Sequence, residues 1–155
     1  MNGSLALVGS GEYLPAMAKF ENSLIADGIK NGKESRYLQI PTAAGRESAD
    51  RLDYWRELGQ AQADSLGVTA TYLPIYSRED AFNPEYVDAI ANSALMYMSG
   101  GDPHHLAETL IGTPVWSAIV ENWKTGASLA GCSAKITSSA CEYNGESYDL
   151  GETFT

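Results

Sequence analysis

Ala94-Leu95-Met96-Tyr97-Met98-Ser99-Gly100-Gly101-Asp102-Pro103 packs a strand, a turn and a helix start into one short run. The apolar stretch Ala94 to Met98 has no polar break, as expected of a strand buried on both faces. Ser99-Gly100-Gly101 closes it. Asp102 then precedes Pro103, an arrangement in which the carboxylate accepts an orphan N–H and the proline sits where no donor is needed. Strand, glycine turn and capped helix together form one half of a parallel βα unit.

The same grammar extends in both directions. Leu5 to Val8 reads as a first strand, closed by Gly9-Ser10-Gly11, with a helix from Pro15 towards Asp27. Tyr37 to Ile40 is a second strand, ended by Pro41. Residues 47–66 carry Leu52, Trp55 and Leu58 at helical spacing, and Gly67 stops that helix. Val68 to Ile75 is a third strand. Asn83-Pro84 and Thr113-Pro114 announce two further helices, the second with Val115, Ile119 and Trp123 on one stripe. Ala127 to Ala130 is a fifth strand, entering Gly131-Cys132-Ser133-Ala134. The alternation predicts an α/β fold with a mostly parallel sheet and helices on both faces. Residues 1–134 form its core. Residues 135–155 change in texture and read as a divergent tail of the same domain, with a short strand near Lys135 to Thr137.

A chain of 155 residues with 44% hydrophobic content suits one domain with a genuine core. Its 20 acidic and 10 basic residues leave a net charge of −10. Such a surface repels phosphate backbones and anionic lipids, so neither nucleic acid nor membrane is an expected partner. No stretch approaches the ~18 apolar residues of a membrane span. The segment Met1-Asn2-Gly3-Ser4 has no basic character, which predicts a cytoplasmic protein without a signal peptide. Cys132 and Cys141 are then expected as free thiols.

Ligands of open α/β sheets bind beyond the carboxyl ends of the strands. The turns at Gly9-Ser10-Gly11, Ser99-Gly100-Gly101 and Gly131-Cys132-Ser133 should converge there. The last resembles a nucleophile elbow, which needs small residues two before and two after the nucleophile. With Ser133 as nucleophile the flanks are Gly131 and Lys135. With Cys132 they are Ala130 and Ala134, which is sterically cleaner. The alternative to both is a tight turn with a buried cysteine. Gly100 and Gly101, opening a helix at Asp102, suit an oxyanion site, or an ordinary strand-to-helix turn. His104 and His105, the two histidines of the chain, stand beside it as a base for a nearby nucleophile or as satisfied helix-start residues. Adjacent helical residues diverge by about 100°, so they make a poor metal pair, and no other cluster has metal-ligand spacing. Arg78, Glu79 and Asp80 form a charged loop able to hold a charged substrate group, or simply to be solvated. Gly9-Ser10-Gly11 lacks the continuation of a nucleotide-binding fingerprint.

Taken together, Leu7-Val8-Gly9-Ser10-Gly11-Glu12, Ile40-Pro41-Thr42-Ala43-Ala44, Arg78 with Asp80-Ala81, Ser99-Gly100-Gly101-Asp102-Pro103 and Gly131-Cys132-Ser133-Ala134 resemble, in order and spacing, the cyanophycinase and dipeptidase E family. The resemblance implies a three-layer α/β/α sandwich of the class I glutamine amidotransferase-like (flavodoxin-like) type. It implies hydrolysis of a small peptide or amide substrate, at acidic or aspartyl residues, with no metal or organic cofactor. Ser133 matches the nucleophile, and Gly100, Gly101 and the amide of Ala134 match the oxyanion hole; Arg78 and Asp102 are the expected substrate-binding residues. Two departures stand out. Lys135 occupies a position where the family has glycine. The family's base is a histidine downstream of the nucleophile, and none follows Ser133 here. Family members also continue past this length. Three readings follow: a serine hydrolase, a Cys132-dependent amidotransferase-like enzyme, or a non-catalytic binding or structural relative. In the last, exposed sheet faces would favour a homo-oligomer.

Overall fold

The computed structural model describes residues 1–9 and 13–132, and the backbone of 140–143 and 146–149. Five strands make one sheet: β1 (Leu5–Val8), β2 (Glu34–Ile40), β3 (Thr69–Tyr72), β4 (Ser93–Met98) and β5 (Ser128–Cys132). Their spatial order is β1-β5-β4-β2-β3 and every pairing is parallel. The helices are α1 (Ala18–Lys30), α2 (Ala49–Leu66), α3 (Pro84–Ile90), α4 (Pro103–Leu110) and α5 (Pro114–Lys124). Core packing divides them between the two faces of the sheet. The architecture is thus the expected α/β/α sandwich.

Burial explains the strands. Tyr37 to Ile40 and Ser93 to Tyr97 are buried on both faces, which accounts for their mostly apolar runs, Gln39 and Ser93 being the buried polar members. On one face Leu38, Ile40, Met96, Val115 and Ile119 form an apolar core under α3 to α5. On the other, Tyr13, Leu24, Ile25, Tyr37, Leu95 and Tyr97 pack under α1 and α2. The three proline starts behave as expected. Asn83 caps α3 through the N–H of Glu85, Asp102 caps α4 through those of His104 and His105, and Thr113 caps α5 through that of Trp116. Gly67 ends α2 in the left-handed region (φ 69°).

Several boundaries differ from the sequence expectation. Pro15–Met17 is a 3-10 turn, and α1 begins only at Ala18 and runs on to Lys30. The third strand is shorter than Val68 to Ile75. It pairs through Tyr72, after which Pro74 interrupts the ladder. The fifth strand is longer, because Gly131 pairs with both Leu7 and Met98, and Cys132 pairs with Val8. Ala140–Tyr143 and Glu146–Asp149 form an antiparallel pair, β6 and β7, that was not anticipated. The expected strand near Lys135 to Thr137 lies outside the described residues.

Candidate active site

The strand order brings the chemistry to one place. β5 lies between β1 and β4, so the C-terminal ends of all three strands share one edge of the sheet, while residues 10–12 of the expected Gly9-Ser10-Gly11 turn lie outside the described residues. β5 remains a paired strand through Gly131 and Cys132, and it therefore delivers the chain to that edge directly ahead of residue 133. Ser133 and Ala134, the expected nucleophile and oxyanion donor, lie outside the described residues, as do Lys135 and the side chain of Cys141.

Next to β5, the turn after β4 is clamped in place. The N–H of Asp102 donates to the carbonyl of Ala43 at 2.8 Å. A Cβ on Gly101 would stand 2.4 Å from the Ala43 carbonyl carbon and oxygen, so glycine is required for this approach. Ala43 and Ala44 are buried in the 3-10 turn that follows β2, and their small side chains let the two loops meet. Asp102 Oδ1 accepts from the N–H groups of His104 (2.9 Å) and His105 (3.3 Å). Its carboxylate is thus engaged as the cap of α4.

Cys132 is half-buried, and its Sγ lies 3.2 Å from the Tyr97 hydroxyl. Tyr97 is buried and packs against Tyr13 (centroids 5.1 Å apart) and Tyr37 (6.0 Å, interplanar angle 13°). The Tyr37 hydroxyl donates to Glu21 Oε1 at 2.7 Å, and Gln62 Nε2 donates to Glu21 Oε2. A continuous polar and aromatic path therefore runs from the residue before Ser133 to a carboxyl group that is only 1% exposed. Burial pushes the Glu21 carboxyl upward, against the opposing hydrogen bonds from Gln62 and Tyr37. Burial also raises the Tyr97 and Tyr37 hydroxyls, aided in Tyr97 by Cys132 and in Tyr37 by the charge of Glu21. Tyr37 and Tyr97 are accordingly neutral. Tyr13 holds φ 57°, an uncommon conformation for a bulky residue and one found at over-determined sites.

The histidines stand elsewhere. His105 is buried, and its Nε2 donates to the Tyr76 carbonyl at 2.7 Å. The other nitrogen, Nδ1, lies 3.5 Å from Thr109 Oγ1. Tyr76 follows β3, which is three strand positions from β5, about 14 Å at the usual strand spacing. His104 is exposed on the first turn of α4. An open hollow of about 480 Å³ lies on this β3 side, lined by Arg46, Tyr76, Arg78, His105 and Glu108 among others. Arg78 spends Nη1 on the carbonyls of Glu108 (2.9 Å) and Ile111 (2.8 Å), closing the C-terminal end of α4. Asp80 accepts from the N–H groups of Tyr76 and Ser77, which shapes the charged loop.

Sequence reasoning missed Glu21, Gln62 and the tyrosine cluster. A signal for Glu21 was present: it shares the buried stripe of α1 with Leu24, Ile25 and Gly28, where a carboxylate is out of place. Among the described residues, no group of three or more His, Cys, Asp or Glu side chains could hold a metal ion. No described helix is long and apolar enough to cross a membrane.

A family model described as peptidase family S51 matches residues 5–148. The crystal structure of a peptidase from an acI-B1 Actinobacterium is similar with a TM-score of 0.88 and 56% sequence identity, covering 96% of this chain and 64% of that one. The structure of a putative Peptidase E protein from Listeria monocytogenes EGD-e shares the fold, with a TM-score of 0.61 and 23% identity over 86% of this chain and 60% of that one. The chain spans less than two thirds of the length of either structure. Comparison with curated proteins found no match.

Proposed function

Because the chain belongs to peptidase family S51, the cyanophycinase and dipeptidase E family, we propose that it is a serine-type hydrolase of small peptide or amide substrates, with Ser133 as nucleophile. One observation carries the reading. β5 stays hydrogen-bonded through Cys132 and reaches the sheet's C-terminal edge between β1 and the clamped turn after β4. A nucleophile entering there meets a carbonyl group beside Gly100 and Gly101, whose turn is held rigid by Ala43. In the proposed step Ser133 Oγ attacks the carbonyl carbon and passes its proton to a base. The amides of the Gly100-Gly101 turn and of Ala134 take the developing oxyanion, and the amine leaves with that proton. Water then releases the acid from the acyl-enzyme. Acidic or aspartyl linkages are the proposed substrate class; Arg78 and Asp102, expected to bind substrate, are instead engaged with α4.

The contacts of Cys132 favour Ser133 over it. Its thiol packs into the tyrosine cluster, on the face it shares with Val8 and Ala130. The base is the open part of the constellation. His105 is committed to Tyr76 and Thr109. The role therefore falls to His104 or to a residue brought by another polypeptide. The commitment of His105 also favours a second reading, a binding domain that keeps the fold without turnover.

Labelling with a fluorophosphonate serine probe, followed by peptide mapping, separates the readings. The hydrolase reading predicts one adduct, on Ser133, and its complete loss in Ser133→Ala. Retained labelling in His104→Ala would assign the base elsewhere. A folded chain with no adduct at Ser133 would leave the binding domain.

A further inference from the structure

Glu21 stands on α1, yet its carboxyl group ties together three other parts of the chain. Its Oε1 accepts from the Tyr37 hydroxyl on β2, and its Oε2 accepts from Gln62 Nε2 on α2. Each partner then reaches the segment that returns the chain from β1 towards α1. Gln62 Nε2 also donates to the Leu14 carbonyl at 3.2 Å. The Tyr37 ring packs against Tyr13, with centroids 6.4 Å apart, and Tyr97 on β4 packs against Tyr13 at 5.1 Å. Tyr13 is buried and holds φ 57°, which a bulky residue keeps only where its surroundings impose it. Tyr97 in turn stacks on Tyr37 and meets Cys132 Sγ at the end of β5.

A carboxyl group is a poor filler for a core. Burying one among aromatic rings costs stability that an apolar side chain of similar size would not. What it adds is direction. Its two oxygens fix two donors, Gln62 and Tyr37, on two different elements. Gln62 holds Leu14 by a hydrogen bond, and Tyr37 supports Tyr13 and Tyr97 by ring packing. Both supports of the segment after β1, and one support of Cys132, therefore start from a single carboxyl group. We propose that Glu21 is a positioning residue of the candidate active site, holding Tyr13 and Leu14 on one side and the Cys132 end of β5 on the other. It touches no reacting atom and acts through Gln62 and the tyrosines. Its effect on turnover rests on the serine-hydrolase reading, whereas the placement of Tyr13 and Cys132 does not.

The test uses the full chain and three rates, with urea unfolding followed alongside. Chymotrypsin cleavage after Tyr13 reports release of that segment. Iodoacetamide with peptide mapping reports Cys132, and the fluorophosphonate probe reports Ser133. Glu21→Met removes both acceptors at similar volume. It should raise cleavage after Tyr13 and alkylation of Cys132 by about tenfold or more, and slow labelling of Ser133 by about tenfold or more. Glu21→Gln keeps both links, its oxygen facing Gln62 and its N–H facing the Tyr37 hydroxyl. All three rates should then return to within about threefold of the original chain. Gln62→Met cuts the tie to Leu14 alone, so it should speed cleavage after Tyr13 and leave Cys132 within about threefold. That variant carries the test if Glu21→Met does not fold, and unaltered cleavage in it overturns the proposal. So does a folded Glu21→Met with unaltered cleavage and alkylation. A rise no larger than its loss of global stability accounts for also overturns it, because a residue with only a structural role would give that result. Labelling of Ser133 that is present in the original chain and unchanged in Glu21→Met overturns the positioning role too. No labelling in the original chain counts against the hydrolase, and cleavage and alkylation still decide the placement.

Discussion

The two faces of the sheet are made of different materials, although the same strands build both. In β2, Leu38 and Ile40 point to the face under α3 to α5, while Tyr37 and Gln39 point to the face under α1 and α2. In β4, Met96 serves the first face and Leu95 and Tyr97 the second. One core is mainly aliphatic, with Asn122 bonded to the Ile90 carbonyl and Ser93 as its buried polar pair. The other holds a buried carboxyl group, three packed tyrosines and two buried amides, Gln39 and Gln62. Gly59 in α2 leaves room for Gln39, since a Cβ there would fall 2.3 Å from its Oε1. Polar groups out of water are tolerated only when paired, and most atoms of this cluster are. The lesson is a division of labour: the aliphatic face holds the sheet together, while the polar face leads to Cys132, the residue before Ser133.

The sharpest way to break that contrast is to truncate the aliphatic face. Ile119 is fully buried, and Ile119→Ala should cost about 2–5 kcal/mol in urea unfolding. A loss below about 1 kcal/mol would show that this face does not dominate stability. A smaller effect is expected from the pH response of the opposite face. Burial lifts the Glu21 carboxyl, so the folded chain keeps a proton there at pH values where the unfolded chain has released it. That contribution to stability is whole below the ordinary glutamate range and declines as pH climbs towards the raised value. Glu21→Gln should flatten the decline in unfolding free energy measured across mildly acidic to neutral pH. An unchanged slope would place the titration elsewhere. The smallest effect belongs to the link with β5. Tyr97→Phe removes the hydroxyl beside Cys132 Sγ and should cost about 0.5–1.5 kcal/mol, with faster alkylation of Cys132 by iodoacetamide. Unaltered alkylation would mean that the tyrosine does not restrain the thiol.

Much of the fold was legible from local signals. The proline-led helices were readable because a cap and a proline each have one physical use at a helix start. β2 and β4 were readable because burial on both faces favours apolar residues over a run, even though Gln39 and Ser93 are buried among them. The limits of β3 and β5 were less so, since they depend on partners: Tyr72 ends its ladder against β2, and Gly131 joins the sheet because Leu7 and Met98 flank it. The shared edge of β1, β5 and β4 followed from topology, whereas the commitment of His105 to Tyr76 did not. Both histidines lie beside the glycine turn in sequence, but the ring of His105 turns towards β3. Exposure of Leu7 was equally hidden, because Leu5 to Val8 reads as apolar throughout and only the neighbouring strand decides which alternate residues are covered.

The seat of Gly101 on Ala43 has a practical meaning for anyone recombining these proteins. The loop after β2 and the loop after β4 touch backbone to backbone, with the Asp102 N–H pinned to the Ala43 carbonyl. Neither can be exchanged alone for the counterpart from a relative without a clash or an orphaned amide. They form a single module of inheritance, and a chimera that transplants residues 41–45 must carry 99–102 with it.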